Sequence, residues 1–333
     1  MTTRAQQIDS LLIGHDPVLQ RAKEVIEKIG PSNIAVLIEG ESGTGKELAA
    51  EALHSVGSRR GAFVPANVCA IADSMFEDAF FGHVRGAFTG ADGASQGFLQ
   101  EADGGTIFLD EIAGLPVRHQ IKLLRAIETG SFRALGAASD SRSRFRIISA
   151  SNEPLPALLQ RGELRRDLVH RLAGIVLRLP PLRERGADIE LLAQRFAMAQ
   201  THSSGEPCLV SATALTRLRA HHWPGNIREL RQLIESAAIL SPEREIGRSI
   251  VEELLFSYSR RVPHSFQQTR AAEERVLLVA ALAAAEGDAR RAAGMLGASR
   301  ATVYRLARSH GLLLNDFRVD ARVEARSSES AGA

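Results

Sequence analysis

At 333 residues with 44% hydrophobic side chains, the chain has length and apolar material for one large domain plus a small one, and its net charge of +2 excludes long-range steering by overall charge. Its two cysteines, Cys69 and Cys208, lie far apart without metal-ligand spacing, which points to a reducing cytoplasm rather than a disulfide or zinc framework. No signal peptide is evident, and the longest clean apolar run, Val276 to Ala285, is too short to cross a bilayer, so no membrane role is expected.

The first thirteen residues are too few for a domain and read as a short extension. Ala35 to Glu39 then reads as a buried strand, and the chain from Glu47 onward (ELAAEALHSV) as a helix. Between them lies GESGTGKE, Gly40 to Glu47, in the strand–glycine turn–helix setting a phosphate-binding loop requires. Gly40, Gly43 and Gly45 let backbone N–H groups converge on a polyphosphate, and Lys46 adds a mobile charge for its outer phosphates. Glu47 stands where the general pattern has a Ser or Thr hydroxyl for magnesium, so that metal role is open.

The uncharged hexapeptide GAFTGA, Gly86 to Ala91, follows. Its two glycines make a bendable loop with Phe88 and Thr89 at the tip. Such a tip either folds back on its own core or waits for something to cover it. Next, GGTIFLDEI gives a second buried strand, Thr106 to Leu109, with Asp110 and Glu111 emerging at its end. Asp110 suits a magnesium ion, held directly or through water, and Glu111 suits polarising an attacking water. A solvated acidic helix start is the plainer alternative.

Arg146 to Ser149 reads as another strand. PPLRERGADI, from Pro180, opens a helical region ending near Ser241-Pro242. Residues 243–270, with Pro263 and scattered polar side chains, read as a linker. Charge is local at the end of the chain. Between Gly287 and Leu314, Arg290, Arg291, Arg300, Arg305 and Arg308 face one acid, Asp288. Asp288 can cap a short helix through Leu296, Gly297 permits a turn, and Ser299 can cap a final helix to about Arg308. After the apolar-rich helix Glu273 to Glu286, this is a helix-turn-helix pattern spanning 271–314. Residues 315–333 are small and polar and read as a disordered tail.

In this order the motifs resemble the AAA+ domain of bacterial enhancer-binding proteins, the activators of sigma-54 RNA polymerase, from roughly Gly14 to Pro242 and again over the last forty or so residues. The C-terminal pattern resembles the factor-for-inversion-stimulation (Fis) type of DNA-binding domain. The resemblance implies an α/β fold: a P-loop NTPase with a parallel sheet (14–180) and helical lid (181–242), followed by a small all-α domain. In the family the phosphate loop also reads GESGTGKE, so Glu47 fits it.

The resemblance implies ATP binding through Gly40, Glu41, Ser42, Gly43, Thr44, Gly45, Lys46 and Glu47. It extends the ATP-binding set to the strand segment Ala102, Asp103, Gly104, Gly105, Thr106, Ile107, Phe108 and Leu109, with Asp110, Glu111 and Asn152, the last lying in the pair Ser151-Asn152 that resembles the family's polar sensor. Asn67 matches the asparagine that senses the γ-phosphate and pairs with the catalytic glutamate. Arg165 and Arg171 match two arginines offered to the neighbouring subunit's ATP, and Arg228 matches the lid sensor. A head-to-tail homo-oligomer, a hexameric ring by resemblance, is therefore expected.

Gly86, Ala87, Phe88, Thr89, Gly90 and Ala91 match the loop that touches the sigma factor. Arg300 is the expected guanine contact, and Arg291, Thr302 and Arg305 the expected phosphate contacts. Ser299 caps the helix that carries Arg300 and Arg305 and is counted with the DNA-binding residues, and Tyr304 touches DNA or packs. ATP and Mg2+ are the implied cofactors. Sigma-54, RNA polymerase and an upstream activator DNA site are the implied partners. With no receiver or ligand-sensing domain ahead of the P-loop, control is expected from abundance, from a trans-acting regulator, or from neither.

Three departures stand out. Ala79 replaces a common glutamate, Arg166 an often acidic position, and Val68-Cys69 the family's cysteine-alanine pair. Two other readings compete with the activator: a DNA-bound regulator acting by occupancy alone, and a replication or helicase-loading AAA+ protein. The intact GAFTGA argues against both.

Overall fold

The computed structural model describes residues 3–201, 205–241, 243–261, 278–279, 281–285, 287–296, 298–309 and 312. Its strands are β1 (Val36–Glu39), β2 (Phe63–Asn67), β3 (Thr106–Asp110), β4 (Ser131–Phe132), β5 (Ser141–Arg142), β6 (Arg146–Ser151), β7 (Ile175–Arg178), β8 (Leu209–Val210) and β9 (Glu245–Ile246). Five of them form one sheet in the order β2-β3-β6-β1-β7, every neighbouring pair parallel. Every residue of β1 and β6 is buried, as the near-continuous apolar runs of a sheet covered on both faces require.

Alternate residues feed two cores. Leu37, Ile107, Leu109 and Ile147 pack on one face with Phe76, Phe80 and Leu123. Val36, Ile38, Phe108 and Ile148 pack on the other with Ile26 and Leu53. The parallel register brings the carboxyl ends of the strands to one edge, with Glu39 opposite Ser151 and Asn67 opposite Asp110. That is where an open α/β sheet places its ligand crevice.

Arg146 opens β6 and is only 2% exposed. Its guanidinium donates to the carbonyls of Gly30 (2.7 Å), Ile29 (3.2 Å), Leu53 (3.3 Å) and Ile34 (3.4 Å). Ile29 and Gly30 close the helix Pro17–Ile29, and Leu53 lies in the last turn of the helix Lys46–Ser55. One cation therefore answers the negative ends of two helices. Burial pulls its pKa down to about 10, so it stays charged at neutral pH. Arg146→Met is expected to cost about 3 kcal/mol or more, because it leaves buried carbonyls without their donor. Urea unfolding followed by circular dichroism measures this, and a loss below about 1 kcal/mol contradicts it.

Two boundaries differ from those read in the sequence. The stretch read as an extension forms the helix Arg4–Leu11, closed at its start by a Thr3–Gln6 capping box, and its Ile8 is buried beside Ile26 and Leu53. It is part of the main core. Much of the stretch read as a linker is likewise structured. β9 pairs with β8, and the helix Arg248–Arg261 buries Val251 and Leu255, one turn apart. The polar residues around Pro263 hid that spacing. Residues 262–270 lie outside those described, as do Pro242 and Gly297.

The chain divides into two units between Leu255 and Phe256. In the second, Leu278, Leu282, Ala292, Val303 and Ala307 form a small core of their own. Asp288 caps the helix Ala289–Met295, accepting from the N–H groups of Arg290 and Arg291. Ser299 Oγ accepts from Thr302 N at the start of the helix Arg300–Ser309. Among the described residues, no helix is long and apolar enough to cross a membrane.

Candidate nucleotide site and loop

β1 ends at Glu39 and the chain turns into the glycine loop, where Gly40 N donates to Ser151 O on β6 at 3.2 Å. Gly43 has φ +79°, and a Cβ there would lie 2.3 Å from the carbonyl oxygen of Gly225, so only glycine fits. The helix Lys46–Ser55 starts directly behind, presenting its positive end to the loop. Lys46 Nζ donates to the carbonyls of Gly40 (2.7 Å) and Glu41 (3.1 Å). Burial lowers the Lys46 pKa, while the nearby carboxylates of Asp110 and Glu111 oppose the shift.

Asp110 and Glu111 leave the end of β3 beside this lysine. Burial raises the Asp110 carboxyl, with Lys46 pulling the other way. Glu111 sits in the left-handed region (φ 57°, ψ 46°), uncommon for a side chain of its size. That backbone turns its N–H onto Asp110 Oδ1 at 3.0 Å, and its carbonyl receives the Cys69 thiol at 3.8 Å. Burial raises the Cys69 pKa, keeping the thiol a protonated donor.

The lid meets the loop through both side chains and backbone. Arg183 makes a two-pronged contact with Glu41 at 2.6 and 2.8 Å, and this bond holds the Glu41 carboxyl below its usual range. Asn226 is fully buried with φ 53°. Its amide nitrogen donates to Glu41 Oε2 (3.2 Å) and Ser42 O (3.0 Å), and its amide oxygen accepts from Leu182 N (2.8 Å). Ile227 N donates to Gly43 O at 2.9 Å, and Arg228 reaches Ser42 Oγ at 2.9 Å. Arg183 and Asn226 were missed in the sequence reading. Their only signal was position, in PPLRER and directly ahead of Ile227-Arg228 in WPGNIREL.

The structure gathers Gly40, Glu41, Ser42, Gly43, Thr44, Gly45, Lys46, Asp110, Glu111 and Arg228. It corrects the segment Ala102 to Leu109. Ala102, Thr106, Ile107, Phe108 and Leu109 are at most 1% exposed. Asp103, Gly104 and Gly105 lie at the opposite end of β3, bonded to Arg144 and Arg146. At about 3.3 Å per residue, Thr106 alone stands about 13 Å from Asp110, so only the carboxylates at the strand end reach the loop.

Asn67 sits beside Asp110 in register, but its side-chain oxygen accepts from Ala70 N (3.1 Å) and caps a short turn instead of meeting Glu111. Glu47 is exposed on the first turn of its helix. Asn152 is exposed just beyond β6. Arg165 and Arg171 are exposed and bonded to Asp167 (2.7 Å) and Glu128 (3.0 Å), not to any phosphate-loop residue.

GAFTGA forms a hairpin loop standing clear of the core. Gly86 N donates to Ala91 O and Ala91 N to Phe88 O. Gly86 (φ 80°) and Gly90 (φ 95°) have open space where a Cβ would project, so backbone conformation alone requires glycine there. Phe88 is 44% exposed and its ring edge rests on His83 at 5.0 Å, while Ala91 is buried at the base. Thr89 is exposed. In the second unit, Arg291, Ser299, Arg300, Tyr304 and Arg305 are exposed and Thr302 half-buried. The Arg300 guanidinium lies 5.6 Å from the Tyr304 ring centre.

A parallel sheet whose glycine loop is gripped by a helical lid, with paired carboxylates at the same edge, defines an AAA+ P-loop NTPase fold. Residues 12–178 match the Sigma-54 interaction domain and residues 183–267 the AAA+ ATPase lid domain. The chain belongs to the family of sigma-54-interacting transcriptional regulators. It is 38% identical over 331 residues to the DNA-binding transcriptional regulator NtrC of Bradyrhizobium sp. (strain RP501 Parasponia), covering 89% of this chain and 69% of that protein. It is 37% identical to the transcriptional regulatory protein GlrR of Escherichia coli (strain K12), covering 92% of this chain and 69% of that one. The crystal structure of NtrX from Brucella abortus in complex with ATP superposes with a TM-score of 0.65 at 30% identity, over 90% of this chain and 69% of NtrX.

Proposed function

We propose that the chain is an ATP-hydrolysing activator that binds DNA upstream of a promoter and remodels sigma-54 RNA polymerase from a closed to an open complex. The observation that carries this reading is the exposed Phe88-Thr89 tip, held out by two positive-φ glycines on an AAA+ domain. The residues fit Mg-ATP. The loop amides and Lys46 suit a polyphosphate, and among the described residues no cluster of three metal-ligating side chains exists. A magnesium ion held by one carboxylate and the nucleotide's own phosphates needs no such cluster, and Asp110 supplies that carboxylate.

When bound, Mg-ATP supplies the phosphoanhydride bond that is broken. Lys46 holds the outer phosphates, and Glu111 takes a proton from the attacking water. Arg228 approaches from the lid, and Asn67 and Asn152, at the carboxyl edge of the sheet, would face the terminal phosphate. Arg165 and Arg171 reach the ATP of an adjacent subunit in a ring, exchanging Asp167 and Glu128 for phosphate oxygens. Arg291, Arg300 and Arg305, with Ser299, Thr302 and Tyr304, form the DNA-facing surface, and a regulator protein acting in trans is compatible with the chain.

Promoter opening on a sigma-54 template tests the function. Opening should require the chain and hydrolysable ATP together, and opening with a non-hydrolysable analogue contradicts the reading. Sharing of the site is tested by mixing. Arg171→Ala and Glu111→Ala proteins, each inactive alone, should together recover about a quarter of wild-type turnover in randomly mixed rings, where some interfaces hold both intact groups. Complete absence of rescue contradicts fingers acting between subunits.

A further inference from the structure

Glu39 belongs to no nucleotide-binding motif, yet it is only 7% exposed at the last position of β1. Its Oε1 accepts from the backbone N–H of Leu155 at 3.0 Å, and its Oε2 from Arg178 Nε at 3.1 Å. The next residue, Gly40, donates its own N–H to Ser151 O at 3.2 Å. The segment 151–155 is therefore an arch with one foot on Glu39, the last residue of β1, and the other on Gly40, the first of the phosphate loop, and Asn152 lies on its exposed span.

The sequence explains why a carboxylate is needed. Pro154 and Pro156 have no N–H, which leaves Leu155 as the one backbone donor at the far foot. An apolar residue at 39 would leave that buried donor without an acceptor. Ser151 tightens the arch from within, its Oγ bonding both Glu153 O (2.6 Å) and Glu153 N (3.1 Å).

We propose that Glu39 is a positioning residue that fixes Asn152 against the phosphate loop, so that the loop and the sensor move as one piece. The inference rests on the ATPase reading above. The test is steady-state hydrolysis by the full chain carrying Glu39→Leu, Glu39→Asp, Glu39→Gln, Asn152→Ala, or Glu39→Leu with Asn152→Ala. Glu39→Leu should lower kcat by roughly 10- to 100-fold with the KM for ATP within about threefold, since a displaced sensor harms the chemical step more than binding. Glu39→Asp, which folds more readily, should show a milder loss of the same kind.

Glu39→Gln keeps an oxygen for Leu155 N–H and should recover to within about threefold of wild type. The double variant should be no slower than Asn152→Ala alone, because both changes act through one group. Losses that multiply in the double variant overturn the inference, as does a lowered melting temperature with kcat unchanged in both Glu39→Leu and Glu39→Asp. A wild-type chain that cannot hydrolyse ATP overturns the enzyme reading and this one with it. Normal wild-type turnover with multiplying losses overturns this one alone.

Discussion

Lys46→Ala should abolish ATP binding, whereas Glu111→Ala should retain binding and lose at least about 100-fold in turnover. The asymmetry follows from where the two groups sit. Lys46 Nζ lies within 2.7 and 3.1 Å of the phosphate loop's own carbonyls, so its charge is placed for phosphate and for little else. Glu111 lies beyond the end of β3, its backbone held in the left-handed region by bonds to Asp110 and from Cys69. Removing its carboxylate leaves those backbone contacts intact, so the fold and the phosphate grip should survive. Titration with a fluorescent ATP analogue and phosphate release on both variants separate the roles. Unchanged affinity in Lys46→Ala, or wild-type turnover in Glu111→Ala, contradicts the assignment.

Thr89→Ala and Phe88→Ala should leave ATP hydrolysis within about twofold of wild type and abolish promoter opening, because neither side chain supports the fold. Phe88 is 44% exposed, and its ring meets edge-on that of His83, which Asp78 holds at 2.6 Å. Truncating so exposed a ring should cost no more than about 1 kcal/mol. A loop packed on its own core predicts the reverse, a lowered melting temperature with opening retained. ATPase rate, thermal stability and promoter opening on the same two proteins distinguish these outcomes. Opening that survives both substitutions contradicts sigma-factor contact through the loop.

The parts of the fold legible in the sequence are those that local chemistry sets. The strand at Val36, the glycine loop, the Asp110-Glu111 pair and the capping by Asp288 and Ser299 each rest on a pattern within a few residues, and each stands where expected. Long-range pairing was not legible. Arg183 lies 142 positions from Glu41 and Arg146 lies 116 from Gly30, and in sequence each is one arginine among many. Asn226 was hidden for the same reason, although it ties the lid to two loop residues at once. The strand segment Ala102 to Leu109 enters the expected site only through the family resemblance. A strand has direction, however, and only its carboxyl end faces the loop.

Ala79 is half-buried against the core that holds Phe76 and Phe80, and Arg166 opens the helix Arg166–Leu172, immediately after Arg165. Both departures therefore fall on elements next to the loop base or the proposed fingers, and neither removes a group from the phosphate site.

The proposed coupling is control, by ATP chemistry at Lys46, Asp110 and Glu111, over whether the Phe88-Thr89 tip engages the sigma factor. Its most direct test is binding of purified sigma-54 to the wild-type chain, measured with ADP plus a transition-state mimic of the γ-phosphate, with ADP alone, and without nucleotide. Stable binding confined to the transition-state condition, and lost in Thr89→Ala, is the predicted result. Binding that is equal in all three conditions, or absent from all of them, contradicts the account.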